Sequence, residues 1–182
     1  MTVIDQRTAM EAESAGRTIC GELAAAASRW GDRPAYTDRD GGPWQTLTWA
    51  QTRERALDLA AAFAALGLQP GERVALMLLN RVEHVLADLG ALHAGGVPVT
   101  FYPTLAPDQV AYVAADCEAR IAVIDGAAEL ARWQPVLDRL PGLRHVIVRD
   151  PAACPAGEPF RTWADLLALG AAERPGRAAE ID

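Results

Sequence analysis

Lysine is missing altogether: the 17 basic residues of this 182-residue chain are all arginine. No lysine amine is on hand for Schiff-base chemistry or for gripping a phosphate. Basic residues are also outnumbered, and the formal net charge is −7. A nucleic-acid binder needs a basic face, so the composition argues against one. The three cysteines, Cys20, Cys117 and Cys154, are far apart and odd in number. They form neither a CxxC motif nor a disulfide framework, which points to a reducing cytoplasm. No apolar run approaches the roughly 20 residues that span a bilayer. The N-terminal "MTVIDQRTAMEAESAG" has no apolar signal core. A soluble cytoplasmic protein is expected, with peripheral membrane contact left open.

The common phosphate cradles are absent too. No GxGxxG follows a strand-like run, and there is no GxxxxGK[ST]. There is no GxSxG elbow for a nucleophilic serine. The three histidines make no metal site: His84 and His93 lie nine residues apart, on opposite faces of one predicted helix, and His145 falls in a strand. His93 lies on the apolar stripe and reads as a core histidine. Cys117 is flanked by Asp116 and Glu118, whose charges oppose thiolate formation, so it reads as a packing residue at a helix end. The five tryptophans fall in different predicted elements and read as packing residues rather than a ligand cage.

What is present is a core. Hydrophobic residues make up 51% of the chain, enough for one good core and a small appendage. Residues 1–17 read as a mobile segment. Thr18 caps a predicted helix through Trp30, ended by Gly31. "RPAYTDRDGGPWQTLTW" reads as a hairpin around the turn chemistry of "DRDGG". "TWAQ" (Thr48 to Gln51) is a capping box, and Leu59, Ala62, Phe63 and Leu66 give the helix behind it an apolar face up to Gly67.

A rhythm follows. "RVALMLL", "VPVTF", "RIAVI" and "HVIV" begin at positions 73, 97, 120 and 145, with helical text between them. Nearly continuous apolar runs suit strands covered on both faces. Their alternation with helices predicts right-handed βαβ units, hence an α/β fold with a mainly parallel sheet and flanking helices, preceded by a helix and a β-hairpin. Val82, Val85, Leu86, Leu89 and Leu92 mark one crossover helix. Pro107 suits the first turn of the next. "DPAACPAGEP" is a connection, "TWADLLAL" a short amphipathic piece, and "GAAERPGRAAEID" a linker. In open parallel sheets ligands sit beyond the carboxyl ends of the strands. Asn80 holds that place after the first parallel strand, and Phe101, Tyr102, Pro103 and Thr104 hold it after the second.

"GERVAL", the Asn80-Arg81-x-Glu83 cluster, "AGGVPV", and "YPT" followed by "DQVAYV" occur in an order that resembles the N-terminal region of AMP-forming acyl-CoA synthetases. "TLTWAQ" and "LAAAFAALGL" upstream match the same layout. The resemblance covers about residues 18 to 150 and leans toward the long-chain fatty acid–CoA ligase branch. It implies an enzyme that activates a fatty acid with ATP and Mg2+, then passes the acyl group to coenzyme A. It also implies that Phe101–Thr104 edge the channel for the pantetheine arm. Arg132 aligns poorly with the arginine that some members use for the coenzyme A nucleotide. The family's phosphate loop would begin shortly after a segment like "RAAEID". The expected organisation is therefore 1–17 mobile, 18–170 an N-terminal α/β subdomain, and 171–182 a linker toward a missing ATP-binding region. No catalytic or metal-binding residue is expected within this chain, and no cofactor is expected bound to it. The segment is expected to be inactive alone and to self-associate. Two alternatives remain: a fatty acyl-AMP ligase that serves a carrier protein, and a free-standing, non-catalytic interaction domain.

Overall fold

The computed structural model describes residues 3–181. The apolar runs become strands in the expected alternation. Helices α1 (Val3–Ser14) and α2 (Ile19–Trp30) precede a hairpin of β1 (Pro34–Asp38) and β2 (Gln45–Thr48). Helix α3 (Trp49–Ala65) follows, then β3 (Arg73–Met77), α4 (Val82–His93), β4 (Val97–Thr100), α5 (Pro107–Asp116) and β5 (Ala119–Ile124). The chain continues through α6 (Ala127–Trp133), a 3-10 turn (Gln134–Arg139), β6 (His145–Val148), β7 (Phe160–Thr162) and α7 (Trp163–Ile181).

The second sheet has the order β4-β3-β5-β6-β7, and every neighbouring pair in it is parallel. The chain steps outward from β3 to β4, then crosses back to β5 on the other side. The order reverses between β3 and β5, which is where a doubly wound sheet opens a crevice at its carboxyl edge. Side chains alternate between two cores. Val74, Leu76, Ile121, Val123 and Ile147 face the layer containing α3, α4 and α7. Ala75, Met77, Ala122, Ile124, Val146 and Val148 face α5, α6 and the 3-10 turn. The central strands β3, β5 and β6 therefore read as nearly unbroken apolar runs, because both faces are covered, whereas the edge strands β4 and β7 have no buried residue.

Helix α3 is the hub of the first layer. Its capping box is formed: Gln51 N–H donates to Thr48 Oγ1 (3.2 Å), and Thr48 N–H donates to the Gln51 side chain (3.0 Å). From Ala56 to Phe63 it is buried almost all round, as a helix enclosed by α2, α4 and α7 must be. Its small side chains let neighbours come close. A Cβ added at Gly90 of α4 would lie 2.6 Å from Leu59 Cβ, and one at Gly170 of α7 would lie 2.0 Å from the Asp58 carbonyl oxygen. The buried face of α4 is accordingly Leu86, Ala87, Gly90 and Ala91, with Leu89 turned toward α2. Val82, Val85 and Leu92 of the expected stripe are only half-buried.

Three local expectations change. Residues 3–14 form a helix, although none of them is buried. The tail read as a linker continues α7 to Ile181, through Pro175. Packing overrides the two helix breakers Pro175 and Gly176: Leu166, Gly170 and Ile181 are buried, and Arg174 pairs with Glu54 (2.8 Å) and Asp58 (3.0 Å) of α3. Strand β7 had no periodic signal, being only three residues long. Met1, Thr2 and Asp182, which belong to the segments 1–17 and 171–182, lie outside the described residues.

The β4 edge is open but blunted. Val97 N–H and Phe101 N–H donate inward to Glu72 O and Leu76 O, so positions 98 and 100 face outward. Position 98 is proline and exposes no N–H to a stray strand.

The two α7 glycines give opposed predictions. Gly170→Ala should cost roughly 1–3 kcal/mol or more, because α7 must move off α3. Gly176→Ala meets nothing within 4 Å and should be neutral, or stabilising by up to about 1 kcal/mol through helix propensity. Urea denaturation of the two variants checks the contrast.

Candidate functional site

The crevice at the β3/β5 switch is filled by charge. Asp125, directly after β5, has a side chain only 6% exposed. One oxygen, Oδ2, accepts from Leu79 N–H (2.9 Å) and lies 2.8 Å from Arg81 Nε, an ion pair out of line for a hydrogen bond. The other, Oδ1, accepts from Arg149 Nε (3.0 Å). Arg81 comes from the β3–α4 turn and Arg149 from the end of β6. Asp40 of the hairpin turn closes a ring, reaching Arg81 Nη1 at 3.2 Å and Arg149 Nη1 at 2.6 Å. Nearby, Val82 N–H at the start of α4 donates to Asp38 Oδ2 (3.0 Å). Two arginines and two aspartates thus tie together the ends of β3, β5 and β6 and dock the hairpin on them.

Asn80 is exposed beside this ring. The Phe101–Thr104 segment does not form one surface. Phe101 is buried, with its ring centroid 5.4 Å from that of Trp133, whose indole N–H points at Met77 Sδ (3.3 Å). Tyr102 is 76% exposed, Thr104 is exposed and Pro103 is half-buried. Phe101 therefore anchors the loop, while Tyr102 and Thr104 are what the loop presents. His84 spans the gap between Asn80 and this loop: its ring nitrogens lie 3.3 Å from Leu78 O at the end of β3 and 3.3 Å from Thr100 Oγ1 at the end of β4.

Sequence reasoning passed over Asp40, Asp125 and Arg149, and noted Arg81 only within a motif. A signal existed for two of them: Asp125 and Arg149 each follow an apolar run directly. Other readings fare variously. His93 is buried, and its Nδ1–H donates to the Ile181 carbonyl (3.0 Å). The Cys117 thiol is pushed above its usual pKa chiefly by burial, with Asp116 a lesser contributor. Among the described residues no group of three or more His, Cys, Asp or Glu could hold a metal. No described helix is long and apolar enough to cross a membrane. The tryptophans are less scattered than their sequence positions imply. Trp30 and Tyr36 lie 6.3 and 6.2 Å from Trp49, because α2 and the hairpin both lean on the start of α3.

The ring's members should differ in weight. Asp125→Ala leaves two mostly buried guanidiniums short of a partner and should cost about 3–5 kcal/mol. Asp40→Asn, at a carboxylate that is 58% exposed, should cost about 1 kcal/mol or less. Denaturant midpoints will show whether this order holds. Hydrogen bonding from Arg149, with its charge and that of Arg81, holds the Asp40 pKa below the usual carboxylate value. A depressed folded-state pKa stabilises above the unfolded value, about 4, and that share is lost as pH falls through the lower folded value. Asp40→Asn should therefore flatten the acid limb of the stability profile below about pH 4.

Comparison with known proteins bears on the whole chain. The family described as AMP-binding enzyme matches residues 23–178. A long-chain-fatty-acid–CoA ligase of Xenopus laevis is 31% identical over 143 residues, which is 79% of this chain and 19% of the relative. A salicyl-AMP ligase / salicyl-S-ArCP synthetase of Mycobacterium tuberculosis is 35% identical over 171 residues, 91% of this chain and 29% of the relative. The apo structure of MbtA from Mycobacterium smegmatis superposes with a TM-score of 0.74 at 27% identity, covering 90% of this chain and 30% of that one. The chain thus spans about a fifth to three tenths of the length of these relatives. Fold, motif order and a match across most of its length agree: the chain belongs to the AMP-binding enzyme family of adenylate-forming ligases and corresponds to their N-terminal region.

Proposed function

We propose that this chain is the N-terminal scaffold of an ATP-dependent acid–thiol ligase that activates a long-chain fatty acid in the cytoplasm and transfers it to coenzyme A. The observation that carries this reading is the family match over residues 23–178, joined to the similarity with a long-chain-fatty-acid–CoA ligase. In that reaction ATP and Mg2+ convert the carboxylate to an acyl-adenylate, and the thiol then displaces AMP. The residues present here do not make an ATP site. Transferring an adenylyl group calls for positioned cations and backbone donors around the phosphates. This chain has no lysine and no glycine-rich phosphate loop. The reading therefore holds the segment inactive by itself, with adenylation needing a further ATP-binding region.

Within this scheme Tyr102 and Thr104 present the edge of the pantetheine channel, Phe101 and Pro103 hold that loop, and Asn80 flanks it. A second reading changes the acceptor to a carrier protein. It is favoured by the 35% identity with a salicyl-S-ArCP synthetase over 91% of the chain.

Pyrophosphate release with ATP, Mg2+ and a fatty acid tests the proposal. The 182-residue chain should release none. The same chain joined to the ATP-binding and C-terminal regions of a family member should release it in an acid-dependent manner. Adenylation by the chain alone would overturn the assignment. Salicylate in place of the fatty acid, and carrier protein in place of coenzyme A, separate the two readings. In the joined protein, Tyr102→Ala should raise KM for coenzyme A about fivefold, the loss of roughly 1 kcal/mol of aromatic contact, and leave pyrophosphate release unchanged.

A further inference from the structure

Asp40 is held as a ligand's carboxylate would be. Each of its oxygens faces a different guanidinium, Arg81 at 3.2 Å and Arg149 at 2.6 Å. Those two side chains are 13% and 16% exposed and are fixed from within by Asp125. Two guanidiniums preorganised around one oxyanion are a receptor for carboxylate or phosphate. The group that fills this receptor is the exposed one. Asp40 sits on a solvent turn followed by Gly41 and Gly42, and a Cβ added at either glycine would meet nothing within 4 Å. Gly41 adopts φ +68°, which glycine takes without strain, and the turn is held by the Asp40 ion pairs and by Val82 N–H donating to Asp38 Oδ2.

A cleft of about 160 Å3 opens beside Asp40. Arg39, Arg55 and Arg149 line it, with Asp38 and Glu83 on the same walls. That volume holds several waters or one phosphate group. Arg55 is exposed, and no ion pair is found for it among the described residues. The sheet brings the receptor to the strand-order reversal, the usual ligand position in an open α/β sheet.

We propose that the Arg81–Arg149 pair and the adjoining cleft form a binding site for a small oxyanion, the phosphate or carboxylate group of a ligand, and that Asp40 occupies it as an internal competitor. When Asp40 lifts away, two guanidiniums face Asp125 alone, leaving one net positive charge for the incoming anion. The proposal does not rest on the ligase reading, because the site lies wholly within this chain.

Calorimetric titration of the 182-residue chain tests it, with inorganic phosphate and acetate as separate probes and chloride holding ionic strength constant. Asp40→Asn should bind phosphate at least about tenfold more tightly than the unaltered chain, since the competitor loses its charge. Adding Arg55→Gln to Asp40→Asn should weaken that binding severalfold. Both positions are exposed, so the fold is not at stake. Adding Arg149→Gln should abolish it, with circular dichroism confirming that the variant is folded. A gain for phosphate only marks the ligand group as phosphoryl; an equal gain for acetate admits a carboxylate. No gain in Asp40→Asn would reduce Asp40 to a structural latch and overturn the proposal. Binding that ignores both arginine substitutions would place the anion elsewhere and overturn it too.

Discussion

A parallel sheet must be covered on both faces, and that constraint shapes most of this chain. Crossovers that return to a parallel strand put helices over the sheet. The central strands β3, β5 and β6 then have no solvent face and read as nearly unbroken apolar runs. The two cores on either side of Val74–Met77 follow directly. So does the burial of α3, which lies under α2, α4 and α7 and tolerates them only because Gly90 and Gly170 let backbones approach. With both faces filled, polar chemistry is left to the edges of the sheet.

At the carboxyl edge the requirement is charge balance. Asp125 is buried beneath three strand ends, and a carboxylate taken out of water needs close partners. Arg81, Arg149 and the Leu79 N–H supply them. Each guanidinium has capacity left over, and Asp40 takes it up, which docks the hairpin. A position that often holds a ligand in open α/β sheets is thus filled from within the chain. The short reach of β4, with Pro98 on its outer side, limits strand addition at the neighbouring edge.

The fold was legible because its signals are local. The Thr48–Gln51 capping box, the four aliphatic runs and Pro107 each act within a few residues, and each appears where expected. Signals that depend on distant packing were not legible. Pro175 and Gly176 looked like breakers because the contacts that hold α7, such as Arg174 with Asp58, span 116 residues. Strand β7 is recognisable only from its pairing with β6. The candidate site was legible by position only. Position alone nominated Asn80 and Phe101–Thr104, but could not say that Phe101 turns inward onto Trp133 while Tyr102 turns out. The ring was hidden for the same reason: Arg149 and Asp40 meet across 109 residues, through a strand order that no local pattern reveals.

On the proposed reading this chain is a scaffold that holds no nucleoside of its own. Titration of adenosine into the isotopically labelled 182-residue chain, followed by amide NMR shifts, tests that most directly. The nucleoside lacks phosphates, so the arginine pair cannot confound the result. The account predicts no saturable shift into the millimolar range. Saturable shifts at the ends of β3 and β5, with a Kd in the micromolar range, would show a nucleoside pocket complete within this segment and contradict it.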